Sequence, residues 1–182
     1  MLNRVEILRN YIDELIKNKE RGKFWRIDRH METVSQFAAM LALKRGLNPE
    51  IAIMTGLLHD IHTLLTDDPK DHEVLGAAKA KEILAELKIT SNEETSMICS
   101  AVRNHSSKGT AHSGYSQTLK DADVLSHYFY NPSLDLTGIG VTGPKYELEK
   151  MILKKLFDEL ELNRDEYLPV DRFRSIVKER SD

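Results

Sequence analysis

Apolar positions return at intervals of three and four from the start of the chain. Val5, Leu8, Ile12, Leu15 and Ile16 form a stripe that predicts an amphipathic helix over residues 3–18, with Gly22 in the connection after it. A second helix, from about 24 to 44, carries His30, Val34, Phe37, Ala38 and Leu41 on one face and Arg29, Glu32, Gln36 and Lys44 off it. Gly46 is a stop signal. Asn48-Pro49-Glu50 is a start signal, combining an N-cap side chain, a proline at the first helical position and an acid in the first turn. The helix that follows is apolar nearly all round through Leu58, the pattern of a helix in the middle of a bundle, and it ends on the adjacent pair His59-Asp60.

Thr66-Asp67-Asp68-Pro69 reads as a turn, and beyond it His72, Leu75, Gly76 and Lys79 share a face of a fourth helix ending near Leu87, with Gly76 allowing close helix contact. Ser91 and Glu94 have the spacing of a capping box and introduce a helix with Met97, Ile98, Ala101, Val102 and His105 in register. Residues 106–116 are expected to be a surface loop, and 117–130 a helix bearing Leu119, Ala122, Asp123, Leu125, Ser126 and Phe129. A long connection over 131–144 leads to two more amphipathic helices, about 145–160 and 165–178, the second opened by Asn163 and Glu166. No segment alternates at period two, so the expected fold is all-α: a single-domain helical bundle over 1–182, with its core over about 24–130 and additional C-terminal helices over about 145–180. Those last helices either complete the core or offer a homodimer surface.

Composition narrows the class. At 182 residues the chain is long enough for one sizeable core, and a net charge of -3 gives no global reason to expect a nucleic-acid partner. No apolar run is long enough to span a bilayer, and the opening MLNRVEILRN lacks the apolar stretch of a signal peptide. The lone Cys99, expected as a buried thiol, cannot form an internal disulfide; a cytoplasmic location follows as the expectation.

His59 and Asp60 are poor residues with which to finish a core helix unless something pairs with them, because an unpaired buried carboxylate is costly. Singly, a histidine on an apolar face is more often a satisfied core residue than a ligand. Yet His30, the pair His59-Asp60, and Asp123 fall on predicted core faces of three separate helices, and each residue suits a divalent Mn, Fe, Ni, Zn or Mg ion. Asp121, two residues earlier, points to the other side of its helix, which favours Asp123. Gly138-Ile139-Gly140-Val141-Thr142-Gly143 satisfies G-x-G-x-x-G, but no strand precedes it, so the dinucleotide-binding reading has no geometric basis. Phe24, Trp25 and Arg26 precede His30 and are candidates for the pocket wall, with aromatic packing at a helix start as the plainer reading.

The order His30, His59-Asp60, Asp123, set in the blocks RHMETVSQFAAMLA, AIMTGLLHDIH, HEVLGAAKAKEIL, ICSAVRNHS and LKDADVLSHYF, resembles the HD-domain superfamily of metal-dependent phosphohydrolases over about residues 28–130. The resemblance implies an all-helical fold, with His30, His59, Asp60 and Asp123 holding one divalent metal. His72 and His105 stand where two-metal members add histidines. Either they hold a second ion with Asp60 bridging, or they contact substrate beside a single ion. Asp60 and His105 are the implied catalytic residues, and Arg103, Lys108 and Lys79 are candidates to bind a small phosphate substrate, expected to be a nucleotide; ordinary solvated charge is the alternative for each. The blocks also look like the branch that hydrolyses symmetrical dinucleoside polyphosphates, but Val124-Leu125-Ser126-His127 lacks that branch's proline and arginine. Ile61-His62-Thr63 stands where many relatives have glycine, lysine or glutamate after the pair, which leaves room for a nucleotide-sensing module beside the enzyme reading.

Overall fold

The computed structural model describes residues 3–20, 22, 26–112, 114–130 and 143–162, and all regular structure among them is helical. The helices are α1 (Arg4–Ile16), α2 (Ile27–Lys44), α3 (Pro49–Leu58), α4 (Ile61–Thr66), α5 (His72–Leu87), α6 (Asn92–Asn104), α7 (Gly114–Tyr130) and α8 (Gly143–Glu159). The fold is therefore all-α, as the periodicity predicts. The aromatic pair Phe24-Trp25, the glycines of 138–142 and the helix expected over 165–178, with its Asn163 and Glu166, lie outside the described residues.

Local chemistry explains the boundaries. The Asn3 side chain accepts from the Glu6 N–H at 2.9 Å to open α1, and the Asn48 side chain accepts from the Glu50 N–H at 2.9 Å to open α3, with Pro49 in the first turn. Ser91 and Glu94 complete both halves of a capping box at the head of α6. Gly46, at φ 67, turns α2 back on itself, a left-handed position that favours glycine. Two points differ from the sequence expectation. α7 begins at Gly114 rather than at Gln117, and beyond the His-Asp pair, where α3 ends as expected, a short helix that the sequence reading did not include, α4, starts at Ile61 with Asp60 at its N-cap position.

The chain divides into two compact units, residues 1–123 and 124–182. The core of the first is built from Val5 and Leu8 of α1, Met31 of α2, Met54, Leu57 and Leu58 of α3, Ile61 of α4, Ile83 and Leu84 of α5, and Ile98 and Val102 of α6. Burial of these side chains contributes roughly 1.5–3 kcal/mol for each large one. Leu15, Leu75 and Met97, counted with the apolar stripes, are exposed, because each stands at the edge of its stripe rather than its centre. Gly56 fixes the distance between α2 and α3: a Cβ there would lie 2.4 Å from Ser35 Cα and 2.6 Å from Ser35 N. Arg4 ties two helix starts together, its Nε 2.8 Å from Glu50 of α3 and its Nη1 2.8 Å from Glu94 of α6.

Within the second unit, Tyr128 meets Phe157 of α8 edge to face at 5.5 Å, and Phe129 stacks on Phe157 at 6.4 Å. Glu149 is fully buried there, with His127 Nδ1 3.2 Å away.

Candidate metal centre

α3 and α6 each finish on a histidine, His59 and His105, whose rings meet edge to face at 5.1 Å. Both are nearly inaccessible to solvent, and both are oriented in the same way. Nδ1 of each donates to the carbonyl three residues back, His59 to Gly56 at 2.8 Å and His105 to Val102 at 2.7 Å, which leaves Nε2 as the outward atom. His30, in the first turn of α2, brings its Nε2 to 3.2 Å from that of His59. His72, the first residue of α5, donates from Nδ1 to the Pro69 carbonyl at 2.8 Å and brings its Nε2 to 3.1 Å from that of His105.

Asp60 lies between these two pairs and divides its oxygens. Oδ2 is 3.3 Å from His59 Nε2 and 3.9 Å from His30 Nε2, whereas Oδ1 is 3.5 Å from His72 Nε2 and 3.6 Å from His105 Nε2. Asp123 joins the first pair, its Oδ1 3.1 Å from His30 Nε2. All six residues expected as ligands are thus gathered in one place. Asp121 is spent on structure, accepting from Arg45 at 2.7 Å and from Gln117 at 2.8 Å.

The charges in the cluster are strongly coupled. Burial resists ionisation of His59, but Asp60, Asp123 and the Gly56 carbonyl together outweigh it and lift the imidazolium to about 9. Burial likewise resists charge on Asp60, yet His59 and His105 hold its carboxyl well below the usual carboxylate range. At His30 burial wins and pushes the imidazole down, against the pull of Asp123.

The donor set fits a bound divalent cation. Nδ1 of His72 and of His105 already donates to a carbonyl, so each ring turns Nε2 to the cluster, and the two Nε2 atoms face each other at 3.1 Å. Such an arrangement calls for a cation or a proton between them. Two ligands each about 2.0–2.1 Å from one ion and at right angles to each other would stand about 3 Å apart, close to the spacing of both histidine pairs. The C-terminal ends of α3 and α6, each carrying partial negative charge, also converge here. His30, His59 and Asp60 form one group able to hold an ion, and Asp60, His72 and His105 another.

The cationic candidates separate. Lys108 reaches the cluster, with Nζ 2.8 Å from Asp123 Oδ2 and its side chain almost fully buried. Lys79 instead pairs with Glu82 at 2.8 Å on the outer face of α5, and the exposed Arg103 lines an open groove between α5 and α6 beside Lys81 and Cys99. Cys99 is half-buried against the core, and burial pushes its thiol up. His62 turns toward Thr66 of its own short helix, Nε2 lying 3.4 Å from Oγ1, and Arg26 is exposed before α2. The sequence reading missed Ser106, whose hydroxyl lies 3.2 Å from His72 Nε2 and 3.4 Å from that of His105. It also missed Lys120, a lysine with no exposed surface. Ser106 follows a candidate ligand directly and could have been suspected. Lys120, one charged residue in a mixed helical stretch, left no sequence signal.

A family model described as the HD domain matches residues 27–128, more than half of the chain and the span that holds every residue of the cluster. A solved structure, described as a predicted HD superfamily hydrolase from an uncultured Thermotogales bacterium, is similar in fold. Its TM-score is 0.53 at 19% identity, over 87% of this chain and 90% of that one.

Proposed function

The chain belongs to the HD-domain family, a superfamily of metal-dependent hydrolases, and from that premise we propose that it is a phosphohydrolase acting on a nucleotide or other small phosphate ester. The observation that carries this reading is the division of Asp60 between two histidine pairs, which supports the two-ion version of the site. His30, His59, Asp60 and Asp123 would hold one ion and Asp60, His72 and His105 a second, drawn from Mn, Fe, Ni, Mg or Zn. A divalent cation held there would lower the pKa of its bound water toward neutrality and screen the phosphoryl oxygens. The carbonyl bonds at Gly56, Val102 and Pro69 keep three of the imidazoles aimed inward, so little reorganisation is needed when substrate arrives. Asp60 and His105 are the proposed catalytic residues, and Lys108 is the proposed phosphate contact retained from the three candidates.

No helix among the described residues is long and apolar enough to cross a membrane. We assign a small-molecule partner and a cytoplasmic setting. A second reading, a nucleotide-sensing module that binds without turnover, is favoured by His62: facing Thr66, it puts neither an acid nor a phosphate-binding cation beside the His-Asp pair.

Metal analysis combined with a phosphohydrolase screen of wild type and Asp60→Ala tests both readings, with nucleoside mono- and triphosphates and dinucleoside polyphosphates among the substrates. Turnover by wild type that is lost with the metal in Asp60→Ala is expected. Turnover that survives the substitution would sink the metal mechanism, and tight nucleotide binding by a metal-replete, inactive wild type would select the sensor.

A further inference from the structure

Lys120 has no exposed surface, and its ammonium is spent entirely on one neighbouring loop. Nζ donates to the Thr110 carbonyl at 2.6 Å, to His112 Nδ1 at 2.8 Å and more weakly to the Ser107 carbonyl at 3.4 Å. A buried cation is an expensive way to hold a loop, and burial lowers its proton affinity, with Asp121 pulling the other way. An apolar side chain of the same length would fill the space without that cost, so the role is to be sought in what the loop presents. The segment leaves α6 at His105 and carries Ser106 to the His72/His105 pair and Lys108 to Asp123, one polar group over each half of the cluster.

We propose that Lys120 is a positioning residue, a buried clasp that holds loop 105–112 closed so that Ser106 and Lys108 stand over the two halves of the histidine–aspartate cluster and receive two oxygens of one phosphoryl group. The phosphoryl part rests on the phosphohydrolase reading above; the clasp does not. Its geometry explains how a lysine on a Ser- and Gly-rich loop can be almost completely buried: the clasp bonds the backbone on both sides of Lys108, at Ser107 and at Thr110.

Trypsin gives a readout independent of catalysis, because cleavage after Lys108 requires that side chain to leave its pocket. Lys120→Met keeps most of the side-chain volume and removes the donors. Relative to wild type it should be cut after Lys108 about tenfold faster or more, with the sites the two proteins share otherwise unchanged and the melting curve still cooperative. Manganese-loaded Lys120→Met and Lys108→Met should each bind inorganic phosphate about tenfold more weakly, and the double variant should be little worse than either, since both act through one contact. Lys120→Arg, which keeps the charge and donors, should restore part of the resistance. Cleavage after Lys108 that is unchanged in Lys120→Met overturns the clasp, as does a rise spread evenly over all sites. A selective rise with phosphate binding unaltered overturns only the phosphoryl part. If Lys120→Met does not fold, the half-buried His112 carries the test through His112→Leu, which removes one acceptor: resistance and phosphate affinity both unchanged then overturn the proposal.

Discussion

The two halves of the cluster share a plan and differ in what surrounds it. Each pairs a sequestered histidine at the end of a helix, His59 or His105, with a more open one at the start of another, His30 or His72. The first half adds a second carboxylate, Asp123, and sits where α2 and α3 are pressed together at Gly56. The second half adds only the hydroxyl of Ser106, and His72 hangs on a turn whose residues Asp67 and Asp71 both hold positive φ, at 60° and 49°. One half is therefore an extension of the core, while the other is assembled at its rim from helix ends and a turn. On the two-ion reading the first half is the tighter site, because it offers more negative charge from better-fixed atoms.

Substitutions can be ranked by how they test this contrast. Asp60→Ala touches both halves and should cost on the order of 10³-fold or more in turnover while removing both ions, as read by metal analysis and steady-state kinetics. His59→Ala and His72→Ala separate the halves. The first should strip the tighter ion and lose at least about 100-fold, and the second should keep one ion per chain and lose about 10- to 100-fold. Equal metal loss in these two variants would erase the distinction between core and rim. Gly56→Ala leaves every ligand in place but drives a methyl group into the Ser35 backbone, so thermal or urea unfolding should show a loss of about 1–3 kcal/mol, with weaker binding in the first half. Gly76→Ala is the matched control. Its Cβ would meet the His59 carbonyl at 3.4 Å and Val102 at 3.6 Å, ordinary contacts inside α5, so stability should hold or rise by up to about 1 kcal/mol in the same experiment.

The same contrast explains what could be read from the sequence. Helices pinned by side-chain caps and by a glycine turn were legible, since Asn3, Asn48, Ser91 with Glu94, and Gly46 each act within a few residues of themselves. The six candidate ligands were legible because a helix face converts spacing into direction, and because their blocks resemble a known family. The end of α3 at His59-Asp60 was legible too, but the short α4 that follows was not, since its six residues are too few to show a period. Nor was the fate of the cations: Lys79 and Arg103 read as helix residues and Lys108 as a surface-loop residue, yet the path of that loop is what brings Lys108, alone of the three, to Asp123. Lys120 was illegible for the same reason, its partners Thr110 and His112 lying on that loop.

Arg4 lies at the opposite end of the helices that deliver His59 and His105, yet it holds the first turns of both. With 10 and 13 residues, α3 and α6 are rods of about 15 and 20 Å, and a rod pinned at its foot has a defined height at its tip. The guanidinium thus acts as a common datum: an axial slip of either helix at Arg4 would arrive undiminished as a change in the gap between the two imidazoles, far beyond the reach of any direct contact.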